Sequence, residues 1–189
     1  MKRIVVMLRA NKVGSIGLVI ALFTLLVSFQ QEPFSKQLRE KVDLAVATTY
    51  DLADFDLESV LIPSGLSDKL DATFIPNHFF KIMNGTEMIG YIYVGDAASM
   101  KRRFDFVLLL NADLSIKKSK VLIYREDYGL QIGSQRWLKQ FIGLTPNDEV
   151  SYGTTIDAIA GATISASSMT KATAAIMKSL NVLRKQKII

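Results

Sequence analysis

The chain contains no cysteine and one histidine, His78. The absence of cysteine excludes a disulfide scaffold, a thiolate metal centre, an iron–sulfur cluster, a thiol nucleophile and a lipidated N-terminal cysteine. A lone histidine excludes a multi-histidine metal site. Any redox chemistry therefore needs an organic cofactor. Proline and glycine are scarce, at 4 and 11 of 189 residues, while 49% of the side chains are hydrophobic. Those proportions exclude a collagen-like or disordered chain. No basic stripe interleaved with aromatics is present, so the net charge of +5 does not indicate a nucleic-acid partner.

The positive charge has a location. Lys2, Arg3, Arg9 and Lys12 precede the first acid, Glu32, and the remaining basic residues nearly balance the 18 acids. Residues 13–29 then form a run of 17 uncharged positions. As a helix the run would span about 25 Å, at the short end for a bilayer. Cations on its N-terminal side predict a cytoplasmic N-terminus, a single pass through the cytoplasmic membrane and an extracytoplasmic C-terminal domain. A cleaved secretory signal shares this pattern. Val27-Ser28-Phe29-Gln30 is a poor small-x-small cleavage site, which favours a retained anchor in the lipid bilayer. Either reading exports the rest of the chain.

Beyond this segment the periodicity predicts an α+β fold, an antiparallel sheet with packed helices. Phe34, Leu38, Val42 and Val46 recur every four residues, so an amphipathic helix opened by Pro33 is expected to run to about Tyr50. Asp51, Asp54, Asp56 and Glu58 lack the spacing and glycine of a calcium loop and read as a solvated face. Strands are expected at 78–83 and 87–94 around the hairpin signal Asn84-Gly85, then at 104–110 and 115–125. Ile89, Tyr91 and Tyr93 should share one face and Met88, Ile92 and Val94 the other; Val121 and Ile123 should also share a face. The apolar run 104–110 should be covered on both sides. A short helix is expected at 135–142, and a final one at about 165–186 with Met169, Ile176, Leu180 and Leu183 as its stripe. This divides the chain into an anchor or signal at 1–31, a helical stalk and lead-in at 32–74, and a domain at 75–189.

Chemistry concentrates in Asp157-Ala158-Ile159-Ala160-Gly161-Ala162-Thr163-Ile164-Ser165, a small-residue loop opening onto the final helix. Free N–H groups and the helix dipole at such an end stabilise a phosphate. Gly161 and Ala162 allow close approach to the backbone, and Thr163, Ser165, Ser167 and Ser168 carry hydroxyls. The glycine-lysine pair of a Walker loop is absent. On these residues alone, two readings stay open: an exported non-redox domain that holds an anionic or phosphorylated ligand at a helix start, and an ordinary Ser/Thr-capped helix.

The run from Asp157 to Thr163 resembles the flavinylation motif of the FMN-binding domain family. That family includes RnfG- and NqrC-type subunits of ion-pumping electron-transfer complexes and stand-alone exported flavoproteins. Upstream, Tyr124-Arg125-Glu126-Asp127-Tyr128-Gly129-Leu130-Gln131-Ile132 resembles the family's Glu-Thr-Pro-Gly loop, which contacts the flavin ring. The likeness covers about residues 75–185, with Ala160 where the family carries Ser or Thr and Asp127-Tyr128 where Thr-Pro is commoner. It implies a flavoprotein whose FMN is joined through its phosphate to Thr163 by a flavin transferase using FAD and magnesium. Asp157, Gly161, Ala162 and Ser165 would surround that attachment, and Glu126, Tyr128, Gly129 and Leu130 would lie toward the ring. The implied role is electron relay between a membrane donor and another acceptor, alone or within an oxidoreductase complex. Covalent attachment would keep an exported carrier from losing its cofactor.

Other residues read as structural. His78 at a strand start and Trp137 at helical spacing suit a core better than a site. Glu126 and Asp127 would diverge if their strand continued. The topology is testable: a protease added outside spheroplasts should digest the C-terminal domain, whereas protection until lysis would reverse the orientation.

Overall fold

The computed structural model describes residues 34–74 and 78–189. The expected anchor at 13–29 and the helix-opening Pro33 lie outside the described residues. Among those described, no helix is long and apolar enough to cross a membrane.

Five antiparallel strands form one sheet in sequence order: β1 (Asp56–Ser59), β2 (Phe79–Asn84), β3 (Glu87–Ala98), β4 (Arg103–Asn111) and β5 (Ile116–Ile123). Among the described residues four α-helices accompany it: α1 (Lys36–Tyr50), α2 (Ser64–Ser67), α3 (Gln135–Leu138) and α4 (Thr163–Lys185). The fold is α+β, and residues Phe34–Ile189 form one compact unit. β4 sets the architecture, because its apolar run cannot leave either face in water. Phe104, Phe106, Leu108 and Leu110 enter the core beneath α4 with Met169, Ile176, Leu180 and Leu183. Val107 and Leu109 enter a second core beneath α1 with Val42, Ala45 and Val46. Full burial of each such side chain stabilises by about 1.5–3 kcal/mol. The sheet is thus sandwiched between α1 and α4.

The helix termini follow local chemistry. Ser35 caps α1 by accepting the Leu38 N–H. Residues 34–74, expected as a stalk and lead-in, supply α1 to one sheet face and β1 to the sheet edge, where β1 pairs with β2. The acidic side chains of Asp56 and Glu58 are exposed, as a solvated face requires, but their backbone is a strand. The 135–142 helix is shorter than expected: α3 gives way to a 3₁₀ turn at Lys139–Phe141. α4 begins at Thr163, two residues before the expected start.

Two face assignments are corrected by β-bulges. The pairing steps from Ile82 opposite Gly90 to Met83 opposite Met88, so Ile89 is an extra residue. Met88 therefore joins the α4 side with Tyr91 and Tyr93, and Ile89 the α1 side with Ile92 and Val94. Likewise Ile123 pairs with Asp105 and Val121 with Phe106, leaving Leu122 unpaired. Val121 then faces the α4 core and Ile123 the α1 core. An added residue reverses the alternation beyond it.

One close approach locks α1 to the sheet. Tyr50 donates its hydroxyl to the Leu110 carbonyl at 2.8 Å, and Gly90 lies beneath both. A Cβ at Gly90 would strike the Leu110 carbonyl oxygen and stand 3.1 Å from the Tyr50 hydroxyl. Gly90→Ala should therefore lower stability by about 1–3 kcal/mol, and Tyr50→Phe by about 1 kcal/mol. Urea unfolding measures both; an unchanged midpoint for Gly90→Ala would mean that the strands separate without cost.

Candidate functional site

Two loops build the site. The first leaves β5 at Ile123. Tyr124 packs its ring on Phe104, centroids 5.6 Å apart, and sends its hydroxyl toward the start of α4. Gly129, at φ +81°, then turns the chain into a 3₁₀ helix at Leu130–Gly133 whose Ile132 is fully buried. The second loop begins at the buried Ile156. Trp137 donates its indole N–H to the Asp157 carbonyl at 2.7 Å, and the Asp157 N–H donates to Gln140 Oε1 at 2.9 Å. Both backbone polar groups of Asp157 are thus held by side chains of the α3 region. The chain passes through Gly161, at φ +80°, and enters α4 at Thr163.

The loops meet at their glycines. A Cβ on Gly129 would lie 2.6 Å from the Tyr124 hydroxyl and 3.4 Å from the Gly161 carbonyl oxygen. The motif alone suggests that Gly129 clears space for a ring; within the protein itself, the group it clears is the Tyr124 hydroxyl. Three hydroxyls close the junction. Ser99 Oγ is 2.7 Å from Ser165 Oγ, and the Tyr124 hydroxyl is 3.0 Å from each. Tyr124 also donates to the Tyr128 carbonyl at 3.0 Å. The turn between β3 and β4, the loop after β5 and the first turn of α4 are therefore joined at one point.

This junction walls a cleft of about 240 Å³. Of the residues singled out from sequence, Glu126, Tyr128, Gly129, Gly161, Ala162, Thr163 and Ser165 line it, joined by Ser99, Met100, Tyr124 and Ile164. Asp157 does not: it lies in a separate groove with Arg136, Trp137 and Lys139. Leu130 is 65% exposed and lines neither that groove nor the cleft. Ser99 and Tyr124 carried no individual signal in the sequence, since hydroxyls converge only through tertiary folding.

The N-terminus of α4 is open. Ala162 occupies the cap position without a side-chain cap, and the backbone ladder starts with Ala166 N–H donating to the Ala162 carbonyl. The N–H groups of Thr163, Ile164 and Ser165 precede it, where the helix dipole favours an anion. Thr163 is exposed. Among the described residues its hydroxyl has no protein partner, whereas Ser165 is 2% exposed and committed to Ser99 and Tyr124. A phosphate fits this end: backbone donors, an accessible hydroxyl and no acid at the helix start.

Glu126 lines the cleft, and its carboxylate is bonded to backbone of the β3–β4 turn. Its carboxylate accepts the Lys101 and Arg102 N–H groups at 2.7 and 3.0 Å. The N–H bonds from Arg102 and then Lys101 hold its pKa below the usual carboxylate range. β5 ends at Ile123, so the strand alternation expected to separate Glu126 from Asp127 does not apply; both line a second cleft beside the first. Trp137 is buried against Phe141 rather than open to a ring.

The family model described as the FMN-binding domain matches residues 102–178, from the start of β4 into α4. A search of curated proteins finds no match.

His78 lies outside this cleft, against Tyr93 and Asp96. Burial pushes its pKa below the ordinary imidazole value, and the Asp96 charge opposes this. A folded pKa below the unfolded one means that the unfolded chain binds the proton first. The contribution to stability is thus present above the unfolded pKa and lost as pH falls through the folded one. The chain's one histidine should titrate below the ordinary range by NMR; an ordinary midpoint would mean a solvated ring.

Proposed function

From an FMN-binding domain at residues 102–178, we propose that this chain is an extracytoplasmic flavoprotein, anchored by one N-terminal pass of the cytoplasmic membrane. In this reading FMN is joined through a phosphoester to Thr163 by a flavin transferase. The protein relays electrons between a membrane donor and another acceptor. The observation that supports the attachment is the contrast of two hydroxyls in one helical turn: Thr163 is exposed and without a partner among the described residues, Ser165 buried and bonded.

The bound flavin would supply one- and two-electron transfer. The chain's own residues supply position and field. The Thr163, Ile164 and Ser165 N–H groups face the phosphate, with the α4 dipole behind them. Gly161, at φ +80°, makes the turn that brings the loop to that end, beside the Gln131 side chain. Tyr124, bonded to the Tyr128 carbonyl and to Ser165, ties the loop after β5 to the helix start. Asp157 lies in its own groove, and its backbone bonds to Trp137 and Gln140 hold the loop that leads to Thr163.

Thr163→Ala tests the reading in a host that exports the protein and contains the transferase. The side chain is exposed and caps nothing, so the change should cost less than about 0.5 kcal/mol. The variant should fold, yet show no FMN increment in its intact mass. Thr163→Ser should retain an acceptor oxygen. A full FMN increment on Thr163→Ala would move the attachment elsewhere. A wild-type protein without flavin from that host would leave a non-redox domain that binds an anion at the same helix start.

A further inference from the structure

The outer surface of α1 carries a charge pattern that packing does not explain. Val42, Ala45 and Val46 turn into the sheet, which leaves Leu44 on the opposite side of the helix, 57% exposed. Lys36, Glu40 and Lys41 stand exposed around it. β5 turns Lys118 and Lys120 to the same side of the sheet, opposite Leu109 and Val107 of the α1 core. Lys117 joins them: its Nζ stands 5.1 Å from the centroid of the Tyr50 ring, at the end of α1. One exposed leucine alone needs no explanation. Here it sits at the centre of a helix surface that an edge strand extends with three lysines in four positions.

The acids of this face are few and mostly paired. Asp43 is held by Arg39 at 2.8 Å, and Asp105 by Arg125 at 2.5 Å. Glu40 is the other acid of α1, and β5 has none. Lys36, Lys41, Lys117, Lys118 and Lys120 have no ion-pair partner among the described residues. Long lysine stems lie along apolar surface and carry the charge outward, so all five ammonium groups are offered to whatever lies against this face.

Chain length narrows what that is. The uncharged run ends at Phe29, and α1 is capped by Ser35. Fully extended, the residues between them span at most about 20 Å. In an anchored chain the first turn of α1 therefore stays within that distance of the bilayer. We propose that the face formed by α1 and β5 rests on the anionic headgroup surface of that bilayer, with Leu44 set among the headgroups and the five lysines around it. This rests on the anchored reading of residues 13–29. Clustered lysines beside a membrane segment are drawn to anionic lipid, and the attraction falls off within a Debye length. α4 packs on the opposite sheet face, so the helix start at Thr163 stays uncovered.

The absence of cysteine allows one fluorophore to be placed at will. The full chain is labelled at Leu44→Cys, or at Lys178→Cys on the exposed side of α4, and reconstituted into vesicles. The vesicles are phosphatidylcholine alone, or phosphatidylcholine and phosphatidylglycerol in equal parts, each with a trace of headgroup spin-labelled lipid. Flotation after a carbonate wash reads the anchor, and quenching by the spin label reads contact with the headgroups. The chain should float with both vesicles. The label at position 44 should be quenched severalfold more on the anionic vesicles, and the label at 178 equally on both. About 0.5 M sodium chloride should return the label at 44 to its phosphatidylcholine level, because screening then confines each charge to a few ångströms. Lys117→Gln, Lys118→Gln and Lys120→Gln together should do the same at low salt.

A chain that floats while its label at 44 is quenched equally on both vesicles overturns the face and leaves the anchor standing. Equal anionic-lipid dependence at 44 and 178 overturns the choice of this face, leaving only diffuse positive charge. Undiminished quenching in the triple variant removes β5 from the contact. A chain that does not float overturns the anchored reading and the contact with it.

Discussion

Three oxygens within 3.0 Å of one another, on Ser99, Tyr124 and Ser165, are the contact on which the site depends. Each belongs to a different part of the chain, and only the turn and the post-β5 loop are joined a second time, through Glu126 and the Lys101 and Arg102 N–H groups. The contact draws the β3–β4 turn and the post-β5 loop over the first turn of α4. It also removes Ser165 from solvent, so the hydroxyl left open at the helix start is that of Thr163. A hydrogen-bonded cluster of this kind is worth more as a positional constraint than as net stability, because each bond replaces one to water.

The scaffold behind the contact is built to keep it in place. β4 is buried on both faces, so it cannot shift without exposing one of two cores. α4 packs on the same sheet through Met169, Ile176, Leu180 and Leu183, which fixes the direction in which its N-terminus points. The loop leading into that N-terminus is held separately, through the backbone of Asp157. Sheet, helix and loop each contribute an independent restraint on the position of Thr163. A site assembled on such elements keeps its geometry without help from a ligand.

Much of this was legible in the linear sequence. Helical spacing in Phe34, Leu38, Val42 and Val46, the apolar run of β4 and the stripe of α4 identified the elements whose burial drives folding. β1 was not legible: Asp56 and Glu58 are exposed, and Leu57, the one side chain of the strand packed on the α1-side core, is too short a signal to mark a strand that is completed by backbone pairing with β2. The bulges at Ile89 and Leu122 were equally invisible, since an alternating pattern reads the same until one residue is skipped. At the site, the motif residues around Thr163 were evident because they are consecutive. Ser99 and Tyr124 were not, because a serine and a tyrosine in separate segments acquire meaning only when the fold brings them together. Asp157 shows the opposite case: it belongs to the consecutive motif, but Trp137 and Gln140 hold its backbone beside another groove.

The bond from Trp137 to Asp157 also bears on how the molecule can be observed. The chain has one tryptophan, and its indole N–H is tied to the first residue of the loop that ends at Thr163. Its emission reports on that loop and on the core packing around Phe141, with no second indole to dilute the signal. The native polypeptide thus carries its own optical probe at the motif, and the state of the loop is readable in unlabelled protein.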